Sequence, residues 1–381
     1  MSTRLELPLP LISVAGTPAD WGAAYGAAAS ALIDANLDLY RRRFADEAGL
    51  DIAAVRAAGA AFRSTTAALL PRIGAALDGV AEGAGVRVED LYALNGRSEL
   101  LYGARGTASP DGRDGGCTAV GVLGTHTASR RLLLGQNWDW HPDQRDAMVL
   151  LATRDERGHA VLTLAEAGML AKAGINSAGV GVCVNLLGCD RDGLPLDGAA
   201  PGVPYHVLLR AALEADSLTW ALRAVLRLPR NTSMNMLLGQ AASDPGDSAG
   251  DELIDLEVAP GDAGWLHPRG GLLTHANHFE TSLAVYDTIK DWGGSSLFRA
   301  ARARRLLEEP AQAGKVTEDD LAAVLRDHAS FPHAICRHVD ERDTPADRSE
   351  TVYSILLDPG ARRFGIAAGP PCRHEYAWVD L

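Results

Sequence analysis

Asp114-Gly115-Gly116-Cys117-Thr118, followed by Gly135-Gln136-Asn137-Trp138-Asp139-Trp140, is the stretch that decides how this 381-residue chain is read. Upstream, residues 104–116 are rich in glycine, proline, serine and aspartate, which is loop chemistry. Before that loop, residues 1–103 read as helical. Thr17-Pro18-Ala19-Asp20 supplies a capping hydroxyl and a proline where its missing N–H costs nothing. The spacing of Trp21, Tyr25, Leu32 and Leu39 predicts a helix running to about Glu47, with more helices over 51–60, 64–83 and 87–102.

Downstream of the loop the texture turns to β. Thr118–Leu123, Arg131–Trp140, Met148–Thr153, Ala160–Ala165 and Val180–Leu187 alternate or run apolar at strand length, with turn signals between them that suit antiparallel meanders. Helices are predicted over 204–214 and 217–227, strands over 234–241, 251–258 and 271–276, and helices again over 295–309 and 317–328. Asp244–Gly250 reads as a loop. A hairpin, Thr351–Leu357 and Phe364–Ala368, closes the chain through Asp358-Pro359-Gly360. Strands in two batches with helices beside them indicate an α+β layered sandwich.

Most free cysteines are buried apolar thiols, and Cys117 has that reading too. The two glycines before it favour another. They free the backbone for conformations closed to other residues and let the thiol approach the Gly116 carbonyl. Attack there gives a thioester that water opens, leaving a new α-amine on Cys117. Free α-amines titrate near about 8, so this one can take the proton of its own thiol near neutral pH. No His–Asp partner for Cys117 is evident in the sequence, and this chemistry needs none.

Composition excludes several classes. A net charge of −13 without a basic stretch argues against nucleic acid and anionic membranes as partners. Five cysteines, an odd number without a CxxC pair, argue against a disulfide framework and for reduced thiols in a cytoplasm. No metal is expected: His275 and His278 are three apart but sit at a strand end or loop, and no other pair has a recognisable ligand spacing. The apolar run Leu5–Val14 is broken by Glu6, Pro8 and Pro10 and lacks a basic lead-in, unlike a secretory signal. No stretch has the length and apolarity of a membrane span.

Asp-Gly-Gly-Cys-Thr with Gly-Gln-Asn-Trp-Asp-Trp downstream resembles the acyl-coenzyme A:6-aminopenicillanic acid acyltransferase family, also called isopenicillin N acyltransferase-like or C45 peptidases. These are N-terminal nucleophile (Ntn) hydrolases related to choloylglycine hydrolases and acid ceramidase. The resemblance implies a four-layer αββα sandwich of antiparallel sheets with an N-terminal helical leader. It makes Cys117 the nucleophile and Gly116–Cys117 the cleaved bond. Residues 1–116 would be the leader or small subunit, released or retained, and 117–381 the catalytic large subunit. Asp139 matches the aspartate that binds the nucleophile's amine. Asn185, in Val182-Cys183-Val184-Asn185, matches an oxyanion-hole asparagine, and Asn277, in Thr274-His275-Ala276-Asn277-His278-Phe279, the second asparagine. Taken alone, either asparagine reads as a turn residue and Asp139 as a strand-end carboxylate. Ser295-Ser296-Leu297-Phe298-Arg299 resembles the family's serine-to-arginine helix start, with Arg299 as the arginine beside the nucleophile and Arg302, one turn on, as the alternative. Gln136 stands where choloylglycine hydrolases carry arginine, which argues against bile-salt-like substrates.

The resemblance therefore implies a self-processed cysteine enzyme without cofactor. It would hydrolyse a linear N-acyl or peptide-like amide, or else move an acyl group from an amide or a coenzyme A thioester to an amine. Two other readings stay open: an uncut, non-catalytic binding relative, and a papain-type hydrolase using His275 or His278.

Overall fold

The computed structural model describes residues 6–103, 116–195, 199–244, 247–290 and 294–381. The Asp114-Gly115 step and the rest of the preceding loop lie outside the described residues. The leader forms β1 (Leu11–Gly16), α1 (Pro18–Ala28), α2 (Ser30–Ala48), α3 (Ile52–Leu69), α4 (Pro71–Ala84), α5 (Val88–Asn95) and α6 (Arg97–Gly103). Thr17 caps α1 as expected: its hydroxyl accepts the Asp20 N–H at 3.3 Å while its own N–H donates to the Asp20 carboxylate at 3.2 Å.

The single helix expected to reach Glu47 is instead two, broken at Ala29 (φ −109°, ψ 11°). The reason is packing. α1 lies backbone to backbone on α4, so tightly that a Cβ at Gly79 would sit 2.5 Å from the Ala19 carbonyl. α2 packs instead on α6, so the chain must change direction between them. Trp21, Tyr25 and Leu39 are buried as expected, but Leu32 only partly. The break expected after residue 60 does not occur. α3 runs on to Leu69 and yields before Pro71, whose ring opens α4. The expected 87–102 helix divides at Gly96, where a Cβ would meet the Phe62 ring.

The body follows as β2 (Thr118–Val122), β3 (Leu133–Trp140), β4 (Met148–Asp155), β5 (Ala160–Glu166), β6 (Gly174–Asn176), β7 (Val180–Leu186), α7 (Tyr205–Leu213) and α8 (Leu218–Leu226). Next come β8 (Met234–Gln240), β9 (Glu252–Ala259), β10 (Asp262–Leu266), β11 (Leu272–His275), α9 (Ser296–Gln312) and α10 (Glu318–Leu325). β12 (Glu350–Asp358), β13 (Arg363–Ala368) and β14 (Ala377–Asp380) complete it.

The strands make an eight-stranded sheet, β1-β4-β5-β6-β7-β8-β9-β10, and a six-stranded one, β11-β2-β3-β12-β13-β14. Leu134, Leu162, Cys183, Leu237 and Ile355 fill the space between the sheets. Leader helices with α7 and α8 cover the outer face of the larger sheet through Trp21, Leu77, Val161 and Leu208. α9 and α10 cover the other through Ala303, Leu307 and Leu325 against Val120 and Leu133. This is the expected αββα order. No helix among the described residues is long and apolar enough to cross a membrane.

One feature departs from purely antiparallel sheets. β1, drawn from the leader, pairs in parallel with β4, Leu11 opposite Leu150 through Gly16 opposite Asp155. Pro8 and Pro10 hid this strand, yet prolines are tolerated at a sheet edge. The leader thus supplies an edge strand and much of an outer layer. Cutting the chain after Gly116 is expected to leave both pieces bound. They should co-elute in gel filtration and separate only in denaturant; a large fragment eluting alone under native conditions would contradict this.

Candidate active site

Cys117 immediately precedes β2, whose partner across the ladder is β3, with Thr118 opposite Asn137. The thiol is 6 % exposed and lies 3.8 Å from the Asp139 carbonyl. It faces a cavity of about 850 Å3, mouth included, walled by Trp138, Trp140, Tyr205 and Leu186, with Asn277 and Arg337 beside Gly116. The leader contributes Arg97, Ser98 and Tyr102 to this wall. The two tryptophans run nearly parallel, 16° between planes and 6.3 Å between centroids.

Gly116 is placed where no side chain fits: a Cβ there would meet the Asp139 Cβ at 2.5 Å and the Arg337 Cδ at 2.9 Å. The Asp139 carboxylate is buried against that glycine and accepts the Thr351 hydroxyl at 2.7 Å. The group expected to meet the Cys117 nitrogen is therefore held from β12, directly across the ladder.

Arg299 is fully buried. Its Nη1 donates to the Gly116 carbonyl at 2.6 Å, to the Cys117 carbonyl, and to the Thr118 hydroxyl at 2.7 Å. Nη2 donates to Asn277 Oδ1 at 2.8 Å and Nε to Ser295 Oγ at 3.0 Å. The start of α9 fixes both partners, since Ser296 Oγ accepts the Asn277 N–H at 2.9 Å. Asn277 also donates Nδ2 to the Leu186 carbonyl at 2.9 Å. Arg302 points elsewhere, forking onto Asp327 with both contacts at 2.6 Å. Of the two arginines weighed, Arg299 reaches the Gly116–Cys117 peptide.

Asn185 is buried beside this cluster but not on the cavity wall, where its neighbours Val184 and Leu186 stand. Its amide donates to Asn235 Oδ1 at 2.8 Å. His275 and His278 are not on the wall either. His275 pairs with Glu257 at 2.8 Å; burial alone would lower its pKa, but Asp255 and Glu257 raise it to about 9. His278 meets Ser296 Oγ at 2.9 Å. A papain-type pairing of Cys117 with either histidine finds no support in this geometry. Gln136 bridges the sheets, its amide exchanging hydrogen bonds with the backbone of Val184.

Three features of the site were not legible beforehand. Thr351 and Arg337 come from the last quarter of the chain, and no local pattern marks them. The third had a signal: Lys172 is a lone charge in the apolar run Met169–Ala173. Its ammonium sits 4.0 Å over the Trp138 ring and donates to Glu166 Oε1 at 2.7 Å, which Arg97 Nη2 also reaches at 3.0 Å. Burial pulls the Lys172 pKa down to about 8 against the pull of Glu166. Burial would raise the Glu166 pKa, but Arg97 and Lys172 hold it well below the carboxylate range. Burial also pushes the Cys117 thiol above its ordinary pKa, as does Asp139, with Arg299 and Lys172 pulling the other way.

A cysteine at the head of a strand in an αββα sandwich, with no side chain tolerated before it, is the arrangement of the N-terminal nucleophile class. The chain belongs to the acyl-coenzyme A:6-aminopenicillanic acid acyl-transferase family, whose model matches residues 125–372. That match includes Asp139, Asn185, Asn277 and Arg299 and begins just after Cys117. The chain is 27 % identical over 311 residues to the acyl-coenzyme A:6-aminopenicillanic-acid-acyltransferase 40 kDa form of Emericella nidulans, covering 81 % of this chain and 78 % of that one. Among solved structures, penicillin V acylase from Agrobacterium tumefaciens overlaps with a TM-score of 0.47 at 14 % identity, covering 70 % of this chain and 86 % of that one. A variant of conjugated bile acid hydrolase from Clostridium perfringens gives 0.43 at 12 % identity, covering 66 % and 89 %.

Proposed function

We propose that the chain is the precursor of a cysteine Ntn amidohydrolase that cuts itself between Gly116 and Cys117. The observation that carries this is the buried Arg299, which donates to the carbonyl oxygen of the very peptide to be cut while the adjacent thiol faces the cavity. The Cys117 sulfur attacks the Gly116 carbonyl carbon, and negative charge builds on an oxygen that already accepts a guanidinium N–H. The C–N bond then breaks, its nitrogen takes a proton, and a thioester remains. Water hydrolyses it to a Gly116 carboxylate and a free Cys117 thiol and amine. Residues 1–116 become the small subunit and 117–381 the large one.

In the mature protein the Cys117 amine takes the thiol proton, and Asp139 orients it and stabilises its charged form. The sulfur attacks a linear N-acyl or peptide-like amide in the cavity. The proton passes to the departing amine, and the S-acyl enzyme is opened by water. Asn277 and Arg299 hold the reacting peptide or acyl group. Asn185, matched to an oxyanion asparagine, lies off the cavity wall on Asn235 and would have to turn its amide from that partner toward the cavity to act as a donor. The reduced thiols this requires suit a cytoplasm.

The family and the Emericella nidulans relative favour a second reading, in which an amine replaces water and the acyl group comes from an amide or a coenzyme A thioester. Partition of the acyl-enzyme separates the two. Hydrolysis predicts free acid at all amine concentrations, whereas transfer predicts an amide product that grows with added amine at the acid's expense.

The raised thiol pKa sets a pH dependence. Below that pKa the thiolate fraction rises about tenfold per pH unit, so self-cleavage should accelerate from about pH 6 towards about pH 8. Near 8 Lys172 loses its charge, one of two cations favouring thiolate, and the climb should flatten. Timed gels of freshly made precursor measure this; a rate independent of pH over that range would contradict it.

A further inference from the structure

Behind the cavity, His328, Cys336, His338 and Cys372 bring four ligand atoms within 4.8 Å of one another. His328 Nε2 and His338 Nε2 are 3.2 Å apart. The Cys336 and Cys372 sulfurs lie 3.6 and 3.4 Å from His338 Nε2. A tetrahedral ion with zinc's usual bond lengths sets its ligands about 3.3 Å apart for N–N and about 3.5 Å for N–S. The observed edges match both. Hydrogen bonds join these converging groups only pair by pair, whereas one divalent cation satisfies all four at once.

We propose that these four side chains form a structural zinc site. Two thiolates and two imidazoles in a tetrahedron select zinc among the common divalent ions, and four protein ligands leave no position for substrate. Binding deprotonates both thiols and releases their protons to solvent. Cys336 and His338 are buried, while His328 and Cys372 are exposed, giving the ion a path in. The four ligands come from the loop just after α10, the segment before β12, and the turn between β13 and β14. Sequence spacing hides the set, against the expectation of no metal: only Cys336 and His338 are close, and the other members lie eight and more residues away.

The site's effect is positional. Arg337, between two of the ligands, lies against Gly116, and its backbone is tied to Thr351, which holds Asp139. Asn137, beside Trp138, donates to the Leu325 and Ile335 carbonyls at 2.8 Å each. An ion there would clamp the segment from α10 to Arg337 against the C-terminal turn and so fix the wall of the cavity.

Elemental analysis of the untagged full chain, dialysed against micromolar zinc and then buffer, tests this. One zinc per chain is expected, falling to background in Cys372→Ser, whose exposed position lets the variant fold. Replacing zinc by cobalt should give the intense thiolate-to-cobalt absorption and visible bands of a tetrahedral site, both absent in Cys372→Ser. Chelation should lower the melting temperature, and added zinc restore it. Zinc at background in the parent chain, equal zinc in parent and variant, or a Cys336–Cys372 disulfide in freshly purified protein would each overturn the assignment.

Discussion

Replacing Cys117 by alanine is expected to leave one uncut chain of 381 residues and to abolish acyl transfer, the largest effect of any single change. The variant loses both reactive groups of the proposed site at once. The sulfur is gone, and without self-cleavage no α-amine forms. Truncating one small buried side chain costs about 1 kcal/mol of stability, so the protein should still fold. Intact mass, with a melting curve as control, reads the outcome. Cysteine to serine at the same position should cut slowly or not at all, because a hydroxyl near neutral pH is far less nucleophilic than a thiol. A cut alanine variant would show that another group attacks the bond.

Arg299→Lys is expected to slow self-cleavage about a hundred- to a thousandfold, the usual consequence of removing one donor from a developing oxyanion. The guanidinium spans the Gly116 carbonyl on one side and Asn277 on the other, in two directions set by its planar fork. A lysine keeps the charge but supplies a single point donor, so it can serve one partner at a time. The buried oxygens left unpaired cost about 1–3 kcal/mol each, which makes a thermal melt a necessary companion measurement. A cleavage rate near that of the parent chain would show that Arg299 only supports the fold. Arg302→Lys is the control, since that residue makes a half-buried fork with Asp327 rather than reaching the Gly116–Cys117 peptide, and should leave the cut unaffected.

Much of this molecule could be read from residue patterns because the patterns are local. Strand length, alternation and turn residues mark β2 to β5, and Thr17 and Thr317 mark the starts of α1 and α10. What escaped depends on contacts between distant segments. The break at Ala29 follows from α1 meeting α4 glycine to backbone, and β1 becomes a strand only because β4 offers it an edge. The site divides in the same way. Gly116, Cys117, Asp139, Asn277 and Arg299 were named from short motifs, and the fold gathers them into one cluster. Asn185 was named in the same manner, yet its amide turns toward Asn235, because successive residues on a strand face opposite sides. Thr351, Arg337 and Arg97 required the fold itself, whereas Lys172 carried a signal in the sequence but its partners Trp138 and Glu166 did not. The His328–Cys336–His338–Cys372 set also required the fold, since it joins residues 34 apart at its longest step.

The most direct test of the central claim is the intact mass of purified protein together with the N-terminal sequence of its larger piece. Two polypeptides of 116 and 265 residues (381 − 116) are expected, the larger beginning at Cys117. A fully active preparation consisting of a single 381-residue chain would contradict it.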